Sequence, residues 1–142
     1  MPLSPSIPEI SLGPISRTDL ALYAGASGDH NPVHIDLDFA KEAGLDDVFV
    51  HGMLSFGVLA RVVTEWAGQE RLRDLSIRFA AITQVHDKIT CSGQISGRFE
   101  ENGHPMLRVA LQAVTQDGRT TLTGEATVDA SEEENAFMGE RS

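Results

Sequence analysis

Residues 27–34 read SGDHNPVH, a stretch that sets Asp29, His30, Asn31 and His34 around Pro32. Those residue types can hold a metal, form a turn or move protons, and the spacing bears differently on each. His30 and His34 stand at i and i+4, the separation of two zinc ligands on a helix. Pro32 between them disfavours the helical region at Asn31 and removes a helical hydrogen bond, so the two rings need not share a face. No glutamate follows His30 as in an H-E-x-x-H helix and no cysteine is near, so no metal site is expected here. Gly28, Asp29, Asn31 and Pro32 are all good turn formers, which accounts for four positions and leaves His34 without a reason. Acid/base chemistry uses both remaining groups. A carboxylate and an imidazole on one rigid turn, with Asn31 and Pro32 fixing the chain between them, can reach a single water or a single substrate carbon. Histidine titrates near neutral pH and passes protons in either direction.

A second stretch, FVHGML at residues 49–54, supplies a different kind of group. Gly52 falls at the start of an apolar helical segment, where free backbone N–H groups and the helix dipole favour a developing negative charge. That is a candidate oxyanion hole, and glycine lets a ligand approach the backbone closely. Ser55, one turn further, either faces this site or bonds the carbonyl four residues back. His51 reads as a supporting or structural histidine. His86 and His104 lie in predicted turns and should be solvated, and Cys91 falls on the inward face of a strand as a small hydrophobe.

These groups need elements to hold them. SRTDLALYAGASG opens with Ser16 and Asp19 in a capping pattern and closes at Gly28, which predicts a short helix with Leu20, Tyr23, Ala24 and Ser27 on one face. DLDFAKEAG predicts a second small helix with Asp36 as N-cap and Gly44 as the stop. MLSFGVLARVVTEWAG is apolar nearly all round over residues 53–63, so a long helix buried on most sides is expected. From residue 74 the period becomes two: Leu75, Ile77 and Phe79; Ile89, Cys91, Ile95 and Phe99; Leu107, Val109 and Leu111; Leu122, Ala126 and Val128. The turns ENGHP and QDGR carry Asn-Gly and Asp-Gly, so the last three strands should be antiparallel neighbours. A buried helix followed by strands is an α+β architecture, with the sheet wrapping the helix.

The 142 residues suit one domain, expected over residues 1–130, with residues 131–142 as an acidic and disordered tail. A net charge of −10 repels nucleic acid and anionic membrane. No apolar run reaches the length of a membrane span, and MPLSPSIPEI lacks the basic and apolar regions of a signal peptide. The single cysteine excludes an internal disulfide and fits a reducing compartment, so a cytoplasmic location is expected.

YAGASGDHNPVHIDLDFA, residues 23–40, resembles the hydratase signature of the MaoC-like enzymes, the (R)-specific enoyl-CoA hydratases and 3-hydroxyacyl-thioester dehydratases. Tyr23, Ser27, Gly28, Asp29, Asn31, Pro32, Val33, His34 and Ala40 fill that pattern, and HGML precedes the long helix at the matching distance. The resemblance, over roughly residues 7–130, implies a hot-dog fold: one long central helix wrapped by a curved antiparallel sheet. It implies reversible hydration of a trans-2-enoyl thioester of coenzyme A or acyl-carrier protein to the (3R)-3-hydroxyacyl thioester. Asp29 and His34 would be the catalytic pair, Asp29 as base toward water and His34 as proton donor at Cα. Asn31 would orient the loop, Ser55 would support, and Gly52 would donate to the thioester oxygen. No cofactor is implied. The fold implies a homodimer or a heterodimer with a related hot-dog chain. A non-catalytic acyl-binding subunit is the alternative from another class. A hot-dog thioesterase would need an acid on the central helix, where the first is Glu65, near the far end. Arg71, Arg73, Arg78 and Lys88 could offset the charge of a phosphate-bearing carrier, or be scattered surface charges.

Overall fold

The computed structural model describes residues 3–131, so the tail expected over 131–142 lies outside the described residues from 132 onward. Local capping chemistry sets the first elements. In α1 (Arg17–Ser27) the Ser16 hydroxyl accepts from the Asp19 N–H at 3.0 Å, and the Asp19 carboxylate accepts from the Ser16 N–H at 2.8 Å. Gly28, at φ 79°, closes the helix in the left-handed region that favours glycine. Leu20 and Ala24 turn into the core and Tyr23 is half-buried, while Ser27 at the last position is exposed instead of sharing their burial. In α2 (Leu37–Glu42) the Asp36 carboxylate caps the N–H groups of Asp38 and Phe39.

The long helix α3 (Gly52–Ala67) lies across a five-stranded antiparallel sheet made of β1 (Ile10–Leu12), β2 (Leu72–Phe79), β3 (Ile89–Glu101), β4 (His104–Thr115) and β5 (Thr120–Asp129). The strand order is β1-β3-β4-β5-β2. This is the α+β, hot-dog arrangement, and β3, β4 and β5 are sequential neighbours as their turns demand. Asn102 and Gly103 both take positive φ, the requirement of the tight turn between β3 and β4. Val58, Leu59, Val62, Val63 and Ala67 of α3 pack on Ile89, Cys91, Leu107, Val109, Leu111 and Leu122 of the sheet. Burial pushes the Cys91 thiol up to about 11, so it stays a neutral, inert hydrophobe.

Two expectations, for α3 and for Phe99, take a sharper form in the structure. The helix is buried or half-buried on most sides but not all: Met53, Gly57 and Arg61, one ridge at four-residue spacing, are exposed. Of the large apolar side chains of α3 only Met53 stands exposed on that ridge. Phe99 does not continue the inward row of β3. The register steps from Ile95↔Val109 to Gly97↔Arg108, which leaves Ser96 as a bulge and reverses the facing of every later residue. Phe99 then pairs with Met106 and carries the Arg108 guanidinium 4.7 Å from its ring centre.

Candidate active site

The turn after α1 is built by its own side chains. Ser27 Oγ accepts from the Asp29 N–H, Asp29 Oδ1 from the Asn31 N–H, and Asn31 Oδ1 from the Val33 N–H. Asn31 thereby caps a short helical turn, Pro32–His34, whose first residue is the proline with its preset φ. The turn and the acid/base reading of this stretch are therefore one structure, because the Asx bonds are what deliver His34. The ring of His34 is buried, at 7% exposure, while Asp29 and His30 remain exposed.

His34 Nδ1 donates to the Phe49 carbonyl at 2.7 Å. A carbonyl only accepts, so Nδ1 keeps its hydrogen and Nε2 is the atom through which a proton can enter or leave. The ring is stacked on His51, centroids 4.0 Å apart, and meets the edge of Phe49 at 4.7 Å. His51 is 1% exposed, its Nε2 donates to the Asp29 carbonyl at 3.2 Å, and Tyr23 meets it edge-on. Burial pushes the His51 pKa below its ordinary value and the neighbouring His34 adds to that, against the opposing pull of Asp29.

The sequence assigned His51 only a supporting place. The structure puts it between the two residues of the pair, bonded to one and stacked on the other. The Phe49 carbonyl, being backbone, leaves no trace in residue type at all. Phe49 also donates its N–H to Val33 O and bridges to Gln84, and the Val50 N–H reaches Thr83 O at 2.9 Å. Residues 49–50 thus lace the turn at residues 29–34 to the loop after β2.

Asp29, His34 and His51 each place one potential ligand atom within 4.8 Å of the others. This is a different trio from the His30 and His34 pair weighed on spacing. The two imidazoles lie nearly parallel, 26° apart, and ring nitrogens bind in the plane of the ring, so their lone pairs do not converge on one point. The arrangement fits proton transfer along hydrogen bonds better than a shared ion.

Gly52 begins α3 directly after His51, and His51 makes no side-chain cap to the helix. The Leu54 N–H already bonds the His51 carbonyl at 3.1 Å, and no side-chain cap takes the N–H groups of Gly52 and Met53 ahead of it, so these can meet a developing oxyanion. A Cβ on Gly52 would stand 2.8 Å from Cε1 of Phe79, so glycine is what lets that ring lie against the backbone. Beside it opens a cavity of about 300 Å³ lined by Phe49, Gly52, Ser55, Phe79, Ile82 and Leu122 among others. Ser55 is buried and its hydroxyl has no partner among the described residues, so the bond to the preceding turn is not made and the group borders the cavity instead. Glu65 is exposed at the far end of α3, bonded to Arg61. Of the basic residues, Arg73 is engaged with Asp129. No helix among the described residues is long and apolar enough to cross a membrane.

Residues 9–133 match the family model described as MaoC like domain. The chain is 32% identical over 116 residues to the (R)-specific enoyl-CoA hydratase of Rhodospirillum rubrum, covering 80% of this chain and 78% of that protein. It is 28% identical over 123 residues to fatty acid synthase subunit beta of Saccharomyces cerevisiae, covering 84% of this chain but spanning only 6% of that much longer protein. Among solved structures, the R-hydratase PhaJ1 from Pseudomonas aeruginosa in the unliganded form superposes with a TM-score of 0.74 at 26% identity, over 87% of this chain and 78% of that one.

Proposed function

Because the chain belongs to the MaoC-like family of hydratases and dehydratases, we propose that this hydro-lyase interconverts trans-2-enoyl and (3R)-3-hydroxyacyl thioesters with the pair Asp29 and His34. The observation that carries the reading is the bond from His34 Nδ1 to the Phe49 carbonyl, which leaves Nε2 as the exchangeable nitrogen of that ring in a cluster shared with Asp29 and His51. In hydration, the Asp29 carboxylate takes a proton from water as the hydroxyl adds to Cβ. His34, entering the step as an imidazolium with hydrogens on both ring nitrogens, gives its Nε2 proton to Cα and becomes neutral, and the proton on Asp29 then returns to His34 to reset the pair. The charge that gathers on the thioester oxygen meets the Gly52 N–H at the head of α3. Ser55, with its uncommitted hydroxyl, supports that oxygen or the water. Asn31 holds the turn. Water is the only co-reactant, so the reaction balances without a cofactor.

The acyl chain takes the cavity beside Gly52, and the carrier is coenzyme A or an acyl-carrier protein. The proposal includes a second hot-dog chain, its own copy or a related one, because α3 and the edge of the sheet leave apolar surface uncovered. A cytoplasmic location accompanies this reading.

Purified protein is tested with short- and long-chain trans-2-enoyl-CoA, following loss of the conjugated thioester absorbance, beside Asp29→Asn. Turnover is expected to fall by about 10² to 10⁴ in the variant, the usual worth of a positioned acid or base. Asp29 is exposed, so the melting temperature should hardly move. Binding without turnover of any CoA or carrier-protein thioester would instead assign a non-catalytic acyl-binding subunit.

A further inference from the structure

Away from the dyad, the protein buries a charge. Asp87 lies just before β3 at 5% exposure, and its carboxylate is filled on every side. It accepts from the Gln84 N–H at 2.8 Å, from Gln116 Nε2 at 2.9 Å and from Arg119 Nη2 at 2.7 Å. A buried carboxylate is tolerated only with such complete pairing, and removing one partner leaves a costly unpaired charge. Arg119 does more than neutralise it. The planar fork also donates through Nη1 to the Ile82 carbonyl at 3.1 Å and through Nε to Asp117 at 3.2 Å.

Those contacts converge on one segment. Residues 80–83 form a wall of the cavity beside Gly52, and they are held by few other bonds: Ala80 and Ala81 donate to Thr121 O, and Thr83 accepts from Val50. Arg119 grips this segment at Ile82 and, through Asp87, at its far end. The turn that carries Arg119 is itself tied down, since the Thr115 N–H donates to the Arg119 carbonyl at 2.9 Å, the Arg119 N–H donates to Thr115 Oγ1 at 3.1 Å, and Asp117 anchors the guanidinium. We infer that Arg119, with Asp87, is a positioning residue for acyl-chain selectivity: the ion pair pins residues 80–87 as the cavity wall and so fixes which chain lengths fit.

The inference rests on the hydratase reading for its substrate, but its first test does not need turnover. Hydrogen exchange is compared in the wild type, Arg119→Gln and Arg119→Lys. Lysine keeps the charge but cannot span Ile82 O, Asp87 and Asp117 at once. In both variants the amides of Ala80, Ala81 and Val50 should exchange about tenfold faster or more, while those in the centre of β3 and β4 stay protected. Unchanged exchange at those amides overturns the inference. The second test measures kcat and KM against a series of enoyl-CoA chain lengths. The variants should raise KM about threefold or more for the best-fitting chain, with kcat nearly kept and the preference among lengths flattened. A uniform loss of kcat at every length with the preference intact would mean a merely structural role and overturns it as well. If the wild type turns over nothing, the hydratase reading falls, and selectivity is then read from calorimetric binding of saturated acyl-CoA. Absence of any binding there, or identical preference in variant and wild type, also overturns the inference.

Discussion

At the level of single residues, the site holds a buried imidazole whose charged form is disfavoured. His51 is packed between His34 and Tyr23 with its Nε2 on the Asp29 carbonyl, and burial holds its pKa below the ordinary 6.5. In the window between 6.5 and that depressed value, the unfolded chain binds a proton that the folded chain refuses. Stability from this group is therefore complete above pH 6.5, falls as the pH drops through the window, and is flat below it. The melting temperature should decline on acidification from about pH 7.5 to about pH 5, and His51→Gln, which does not titrate, should show a shallower decline. Equal slopes in the two proteins would show that His51 pays no proton-linked cost. The sequence exposed the residue types here well: Gly28, Asp29, Asn31 and Pro32 were recognisable as turn formers, and His34 as the residue a turn does not need. It did not expose the stacking, because adjacency of residues 34 and 51 depends on how two separated segments meet.

At the level of elements, Gly52 joins packing to chemistry. Alanine there should help the helix by propensity, about 1 kcal/mol at most, and its methyl would press on the Phe79 ring at 2.8 Å. The obstacle is a side-chain ring and not backbone, so Phe79 can swing and the fold survives. Its swing narrows the cavity and the methyl crowds the approach to the helix N–H. Gly52→Ala is thus expected to change stability by less than about 1 kcal/mol while kcat/KM falls more than about tenfold. A denaturant melt and initial rates check it together, and a parallel loss of both would point to a folding defect instead. Caps and hairpin turns were legible as elements because Ser16 with Asp19, Asp36, and the pair Asn102 and Gly103 act on their own neighbours. The three-residue β1 was not, since a span that short has no period, and its pairing with Ile89–Cys91 is long-range. Nor was the bulge at Ser96, which alternation alone could not anticipate and which carried Phe99 to the outer face.

At the level of the whole molecule, open edges separate a lone chain from a complete one. Among the described residues, β2 is bonded to β5 along its length and to no strand on its other side. β3 is also bare beyond Cys91, but there the bulge at Ser96, with Arg98, Glu100 and Glu101, guards it against pairing. β2 has no comparable bulge in its centre and ends at Phe79, which is 54% exposed at the mouth of the cavity, with Met53 of α3 exposed at 55%. Edge-to-edge pairing of β2 between two copies would join the sheets and cover those side chains by one symmetric contact. The strand order that leaves β2 outermost could not be read from alternation, which reports the faces of a strand and not its neighbours. The protein expressed alone should therefore have a solution mass of about twice 15.3 kDa by light scattering. Replacing the exposed Ser76 by lysine, which places a charge on that edge strand without entering the core, should shift the mass toward the single chain and raise KM for the thioester. A wild-type monomer that gains activity only on mixing with a related hot-dog chain would assign β2 to a heterodimer, since the uncovered edge and cavity mouth are the same in both cases and only the identity of the cover differs.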